Sequence, residues 1–358
     1  MSSCCRVALL GFGTVGSAVA RRLTSADPDS SPGIQLTHIF DRRASEKSGS
    51  LRADGLIWTS SIDDVLQSRA DVIVEAIGGV EPAAGWMRAA LLAGKSVVTA
   101  NKQVIARQGA ALLTLAARQG RQLRFEAAVG GAMPIVRAIG DGLAGDRITR
   151  IVAILNGTTN AVLSQMEATG CALETAVRDA QGRGYAEADP SADLDGRDAR
   201  AKLAILCALA FGLRVDPSQI DTQSSAAVTP AGFAQARRRG ATIRQIAHAD
   251  YDYTTSTLTA WVAPVEVAAS SIFARTLGAQ NAALITGAHS GETGIFGAGA
   301  GGDATAVAVI GDLVAIARDK AAIVPPPRLT GNFRLQTSDF RLESSDLRLE
   351  NSVLAEAV

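Results

Sequence analysis

At 358 residues, 47% of them apolar and 20% charged, the chain holds material for two cores and is expected to form two domains. Its 35 basic side chains balance 35 acidic ones, which excludes an overall field drawing it to nucleic acid or to an anionic membrane. A small, locally bound molecule is the expected partner. The start Met1-Ser2-Ser3-Cys4-Cys5-Arg6 carries no leader pattern, and no apolar run reaches the roughly 20 residues a bilayer span needs, so a cytoplasmic protein is expected.

In chain order, residues 6–10 read as a short apolar strand, followed by a glycine turn and a helix over 17–23. Strand-like runs recur at 34–40, 71–76 and 96–99 with helical stretches between. This alternation predicts an α/β fold, a doubly wound parallel sheet of Rossmann type occupying residues 1–146. From about 147 the pattern changes to a strand at 148–155, helices at 161–169 and 173–181, and a long helix at 198–211. A mixed α+β catalytic and dimerisation domain is expected over 147–294. Residues 287–302 are glycine-rich, and 305–318 form an apolar helical segment; residues 295–323 are expected to return to the first domain. Beyond Pro325-Pro326-Pro327, the triplets Phe333-Arg334-Leu335, Phe340-Arg341-Leu342 and Leu347-Arg348-Leu349 recur every seven residues. Too short for a solenoid, 324–358 reads as a disordered or loosely helical tail, an oligomerisation helix being the alternative.

Four cysteines, at 4, 5, 171 and 207, are too few and too scattered for a disulfide framework or a zinc site. Cys207, inside the apolar run 203–211, reads as a core residue.

The chemistry-bearing segments are denser. Gly11-Phe12-Gly13-Thr14-Val15-Gly16 lies between the first strand and first helix, where glycines permit the turn, admit a pyrophosphate to the backbone and aim a helix N-terminus at it. Asp41 ends the second strand and suits an adenosine ribose, favouring NAD; Arg42 and Arg43 suit the 2′-phosphate of NADP, so both cofactors stay open. Thr99-Ala100-Asn101-Lys102 closes a parallel strand at the edge where such sheets bind ligands. Two turns rich in small residues follow, 126–134 and 156–160. Residues 184–202 then hold five carboxylates within twelve residues, with Asp198 and Lys202 four apart on one helix face.

In this order, G-F-G-T-V-G, V-V-T-A-N-K, E-A-A-V-G-G-A-M-P-I, L-N-G-T-T-N and G-Y-A-E-A-D-P-S-A-D-L-D-G-R-D-A-R-A-K-L, the chain resembles the homoserine dehydrogenases from residue 6 to about 318. The resemblance implies NAD(P)-dependent interconversion of aspartate 4-semialdehyde and homoserine, in threonine, methionine and isoleucine biosynthesis, by a homodimer. It implies that Lys102 and Lys202 flank the reacting carbon, that Asp198 orients the site, and that Glu187 and Asp193, with Gly157 and Thr158, recognise the substrate. Gly78, Thr99, Lys102 and Gly301 join the cofactor loop and Asp41 in holding the nicotinamide nucleotide. A monovalent cation, Na+ or K+, is implied near Glu126, Val129 and Gly131. Ala298 and Ala304 stand where prolines are common in the family, which leaves the late glycine loop less stiff. The chain is too short for the appended ligand-binding domain of long members, so threonine feedback by that route is not expected.

Two rivals differ in chemistry. An aldehyde dehydrogenase acting through a thiolate would need a cysteine in a motif, and none is there. A nucleotide sensor without turnover would not need the set Lys102, Glu187, Asp198 and Lys202. The histidines His38, His248 and His289 fall outside every motif.

Overall fold

The computed structural model describes residues 4–25, 33–322, 324–327, 329, 332–337, 340 and 342. They fall into two compact units, one within 1–142, 212–216 and 300–329, the other within 143–211, 217–299 and 330–358.

The first unit is built on β1 (Cys5–Leu10), β2 (Ile34–Phe40), β3 (Ile57–Thr59), β4 (Val72–Glu75), β5 (Ser96–Thr99) and β6 (Leu123–Arg124). They form one parallel sheet in the order β3-β2-β1-β4-β5-β6. Val7, Leu9, Val72 and Val74 have no exposed surface, and neither do their neighbours Ala8 and Ile73. A parallel sheet covered on both faces needs such continuous apolar runs, which is why these strands could be read from composition. Helices Thr14–Leu23 and Gly302–Arg318 pack together on the sheet through Ala18, Val19, Ala306 and Val309. The strand order reverses between β1 and β4, and the crevice at their carboxyl ends is where a sheet of this topology takes a ligand.

The second unit holds β7 (Ile148–Ile154), β8 (Asp221–Thr222), β9 (Ala241–Asp252), β10 (Thr257–Ala268), β11 (Gln280–Gly287), β12 (Gly291–Ala298) and β13 (Arg334–Gln336). The order is β12-β11-β7-β9-β10-β13, with β8 also beside β10. Side chains alternate between faces. Ile243 joins Val162, Leu163 and Phe233 of the helices, whereas Ile246 joins Trp261, Val265 and Phe273 on the opposite face.

Four differences from the sequence reading have physical causes. That reading assigns no element between 212 and 286, where the structure places the twelve-residue strands of the β9–β10 hairpin; these are buried over much of both faces and lack a clean polar alternation. The glycine-rich stretch 287–302, expected as a loop, contains β12, whose partner β11 supplies the main-chain order its own composition lacks. The helix expected from 161 begins at Gly157, because the Asn156 side chain accepts from the Thr159 N–H at 2.7 Å and caps it. Finally, part of the expected disordered or helical tail is a strand: β13 runs parallel to β10, and the Phe340 ring lies 5.9 Å from Trp261. The third repeat, Leu347-Arg348-Leu349, and Arg341 lie outside the described residues.

Candidate active site

In the first unit the glycines of the β1 turn differ in what they are for. Gly11 has φ +94°, and a Cβ there would stand 2.7 Å from the Ala76 carbonyl oxygen. A Cβ on Gly16 would stand 2.0 Å from the Gly11 carbonyl oxygen, so this glycine lets helix and turn meet. Gly13 has φ −91°, and a Cβ on it would meet no atom within 4 Å, so the protein itself does not require glycine there. It is also the N-cap of helix Thr14–Leu23 and supplies no side-chain cap, leaving main-chain donors for an anion. These features fit a pyrophosphate. Gly301, with φ +109°, precedes Gly302, whose Cβ would lie 2.9 Å from the Thr14 carbonyl oxygen. The late glycine turn therefore abuts the first one.

Asp41 accepts from the N–H of Phe12 (3.1 Å), the N–H of Arg43 (2.9 Å) and the Lys47 ammonium (2.6 Å). Burial works to raise this carboxyl, but the Lys47 and main-chain hydrogen bonds outweigh it and hold the carboxyl below its ordinary range. Lys47 also donates to the Phe12 carbonyl at 3.2 Å, tying Asp41 to the glycine turn. Arg42 and Arg43 are exposed. The sequence reading missed Lys47: six residues past Asp41, it belongs to no motif.

At the ends of β4 and β5 a second polar knot forms around Glu75, wholly buried. It accepts from the Ile77 and Gly78 N–H groups, the Thr99 hydroxyl and the Asn101 amide. Asn101 caps helix Lys102–Arg118 through Val104 N–H, which puts half-buried Lys102 in its first turn. Glu75 was missed although a signal existed, an acid ending an otherwise apolar strand.

Glu126 is buried, and burial pushes its carboxyl up to about 7 against the N–H groups of Val136 and Arg137, which both donate to it at 2.9 Å. Asp312, itself raised by burial, accepts from Arg137 at 2.8 Å and from the Glu126 N–H. Among the described residues no cluster of three or more His, Cys, Asp or Glu side chains could hold a metal ion.

In the second unit, residues from four motif positions converge. The Lys202 ammonium lies 3.0 Å from Asp198 and donates to the Leu155 carbonyl at 2.7 Å. The Asn156 amide donates to Asp198 at 2.8 Å and to Asp193 at 2.7 Å. Asp198 and Lys202 are 6% and 9% exposed, so the expected helix-face pair is withdrawn from water, where losing one partner costs far more than at a surface. Gly157 and Thr158 open the capped helix, and the Thr158 hydroxyl donates to the Tyr185 carbonyl at 2.7 Å, anchoring the 184–190 loop. Glu187 is exposed on that loop, apart from this network; among the described residues only its main chain is held, by Gln181. Cys207 is fully buried with its thiol pushed up to about 12, which fits a packing residue and not a nucleophile. His289 sits in an exposed turn held by Asp146, and burial pushes His248 down to about 3.

A Rossmann-type nucleotide fold joined to a unit with a buried lysine and paired carboxylates defines a nicotinamide-dependent oxidoreductase. Residues 11–126 match the NAD-binding domain of homoserine dehydrogenase and residues 134–314 match homoserine dehydrogenase. The chain is 39% identical over 330 residues to a homoserine dehydrogenase of Mycobacterium tuberculosis, covering 90% of this chain and 74% of that protein. With the Bacillus subtilis enzyme it shares 34% over 318 residues, 88% of this chain and 73% of that one. A crystal structure of a homoserine dehydrogenase from Thiobacillus denitrificans superposes with a TM-score of 0.85 at 33% identity, over 93% of this chain and 79% of that one. A hyperthermophilic archaeal homoserine dehydrogenase in complex with NADPH gives a TM-score of 0.71 at 27% identity, over 89% and 99%. The chain belongs to the homoserine dehydrogenase family, an NAD(P)-dependent oxidoreductase. No helix among the described residues is long and apolar enough to cross a membrane.

Proposed function

We propose that the protein interconverts aspartate 4-semialdehyde and homoserine, as a cytoplasmic homodimer in threonine, methionine and isoleucine biosynthesis. The observation that carries the reading is the buried arrangement of Lys202 on Asp198 and Leu155 O, beside Asn156 and Asp193. An ammonium has three N–H groups, and two of Lys202 are directed at Leu155 and Asp198; the third is available to the aldehyde oxygen. A fixed cation there stabilises the alkoxide that develops on reduction and can deliver its proton. Lys102 serves the same reaction from the first turn of its helix.

The nicotinamide nucleotide supplies the hydride. Gly11, Phe12, Gly13, Thr14, Val15 and Gly16 hold its pyrophosphate, Asp41 its ribose, and Gly78 and Gly301 line its path, whereas Thr99, expected there from the sequence, is fully buried and braces the end of β5 through Glu75. Lys47 joins Arg42 and Arg43 as a cation able to favour the 2′-phosphate of NADP. On the substrate, Asp193, bridged by Asn156 to the lysine pair, suits the α-ammonium, with Glu187 approaching from the exposed 184–190 loop and Gly157 and Thr158 at the helix start that Asn156 caps.

For a monovalent cation near Glu126, Val129 and Gly131, the Glu126 carboxylate fits poorly as a ligand, since both its oxygens accept from main-chain N–H groups. Main-chain oxygens of Val129 and Gly131 would have to hold it. Turnover that is independent of K+ and Na+ would exclude the ion.

The test is turnover of purified protein with aspartate 4-semialdehyde and NADPH or NADH in turn. Oxidation of either reduced nucleotide with equimolar formation of homoserine is expected; nucleotide binding without turnover would overturn the reading.

A further inference from the structure

The polar knot at the carboxyl ends of β4 and β5 does more than join two strands. Glu75, with no exposed surface, receives the N–H of Ile77 at 2.9 Å and that of Gly78 at 3.3 Å on its Oε1. Its Oε2 receives the Thr99 hydroxyl at 2.5 Å, and the Thr99 oxygen in turn accepts from the Asn101 N–H at 2.9 Å. The Asn101 side chain closes the circuit. Its amide donates to the Gly79 carbonyl at 2.6 Å, while its oxygen accepts from the Val104 N–H at 3.2 Å and caps the helix that begins at Lys102. One buried carboxylate therefore holds both the loop 77–79 after β4 and the start of the helix that carries Lys102.

The donors that meet Glu75 are all neutral: two main-chain N–H groups, a hydroxyl and, at 3.5 Å, the Asn101 amide. Withdrawing a charge from water without an opposite charge is costly, and an apolar side chain of similar size would brace two strand ends at less cost. Stability does not explain the carboxylate. What it adds is direction, because acceptors on both oxygens oblige the Thr99 proton to point at Glu75 and leave the Thr99 oxygen for Asn101. A Cβ on Gly78 would meet no atom within 4 Å, so the loop held in this way presents bare main chain to open space, as Gly13 does.

We propose that Glu75 is a positioning residue for the reaction, fixing Lys102 and the main chain at Gly78 in one relation to each other. This rests on the reading that Lys102 serves the reduction of the aldehyde. Misplacing a reacting group by about 1 Å can cost about a hundredfold in rate, which is the scale on which such a link acts.

The test is Glu75→Gln, which separates the two halves of the role. Two N–H groups meet Oε1, so the glutamine keeps its oxygen there and turns its NH2 to Thr99. Loop 77–79 stays held, while the Thr99 proton loses its acceptor and the link to Asn101 loosens. The expected result is a folded variant with calorimetric NADPH affinity within about threefold of wild type and kcat lowered about ten- to a hundredfold. In a Lys102→Ala background, itself slow, the same change should lower kcat by less than about twofold, because Glu75 acts through Lys102. Thr99→Val should reproduce the loss and Thr99→Ser, which keeps the hydroxyl, should recover most of it; this pair carries the test if Glu75→Gln does not fold. Wild-type kcat in folded Glu75→Gln or Thr99→Val would overturn the proposal. An undiminished loss in the Lys102→Ala background would overturn it too, since a brace that ignores the lysine behaves in that way. Wild-type kcat in Lys102→Ala alone is a different failure, removing the role of Lys102 and the proposal with it.

Discussion

In the first unit the surface offered to a ligand is main chain, with Gly13 leaving its side-chain position empty and the helix behind it uncapped by any side chain. In the second unit the offered groups are charged side chains taken out of water, Lys202 and Asp198 joined through Asn156 to Asp193. On the proposed function, the difference follows from the tasks. A pyrophosphate already carries its charge, so fixed N–H dipoles suffice. A developing alkoxide needs a group that also gives up a proton, and a lysine held by Asp198 and Leu155 O is such a group.

The sharpest way to break this contrast is Gly13→Val. The backbone there, φ −91° and ψ −157°, suits valine, and a Cβ meets no protein atom, so folding should be kept. Nicotinamide affinity should fall about a hundredfold or more as the side chain fills the pyrophosphate's place; unchanged affinity by calorimetry would show that main chain is not the ligand-facing surface.

A smaller effect is expected for Glu187→Gln. With Glu187 exposed, its pairing to a substrate ammonium should be worth about tenfold in KM for homoserine, with cofactor affinity unaltered. A wild-type KM would leave recognition of the ammonium to Asp193.

Smaller again is the effect at the ribose corner, where side chains do assist the main-chain site. Lys47→Met should lower kcat/KM for NADPH by about three- to tenfold relative to NADH, and Arg42→Ala with Arg43→Ala should act in the same direction. Equal losses for both nucleotides would mean that the cations support the turn and do not read the 2′-phosphate.

His248, buried beside Trp261 with neither ring nitrogen hydrogen-bonded among the described residues, bears on stability alone. Burial depresses its folded-state pKa from 6.5 to about 3, so the neutral ring is favoured in the fold. The stability this contributes is complete above pH 6.5 and is lost as pH falls towards 3. His248→Phe should therefore flatten the decline of melting temperature over that window and leave kcat alone; an unaltered pH profile would remove this group from acid denaturation.

The same contrast governs what could be read from the sequence. The parallel strands announce themselves as apolar runs and the cofactor turn as a glycine spacing, because local residues alone determine both. Helical spacing likewise puts Asp198 and Lys202 on one face. Their burial, and the bridge from Asn156, depend on strand β7 ending beside that helix, which no local pattern records. Lys47 escaped because its pair with Asp41 belongs to no motif and its other acceptor, the Phe12 carbonyl, is 35 residues away; Glu75 escaped because Thr99, which closes its knot, is 24 residues away. β12 escaped because its order is imposed by β11.

The central claim, that the buried Lys202 of the second unit supplies the charge and proton for the chemistry, with Lys102 assisting from the unit that carries the cofactor site, is tested most directly by Lys202→Ala. Removing one partner of a buried pair costs about 3–5 kcal/mol of stability, so folding is checked by melting temperature and NADPH titration on the same sample. The account predicts a folded protein with wild-type NADPH affinity and kcat lowered by about two to four orders of magnitude. Near-normal kcat across pH in that folded variant would contradict it.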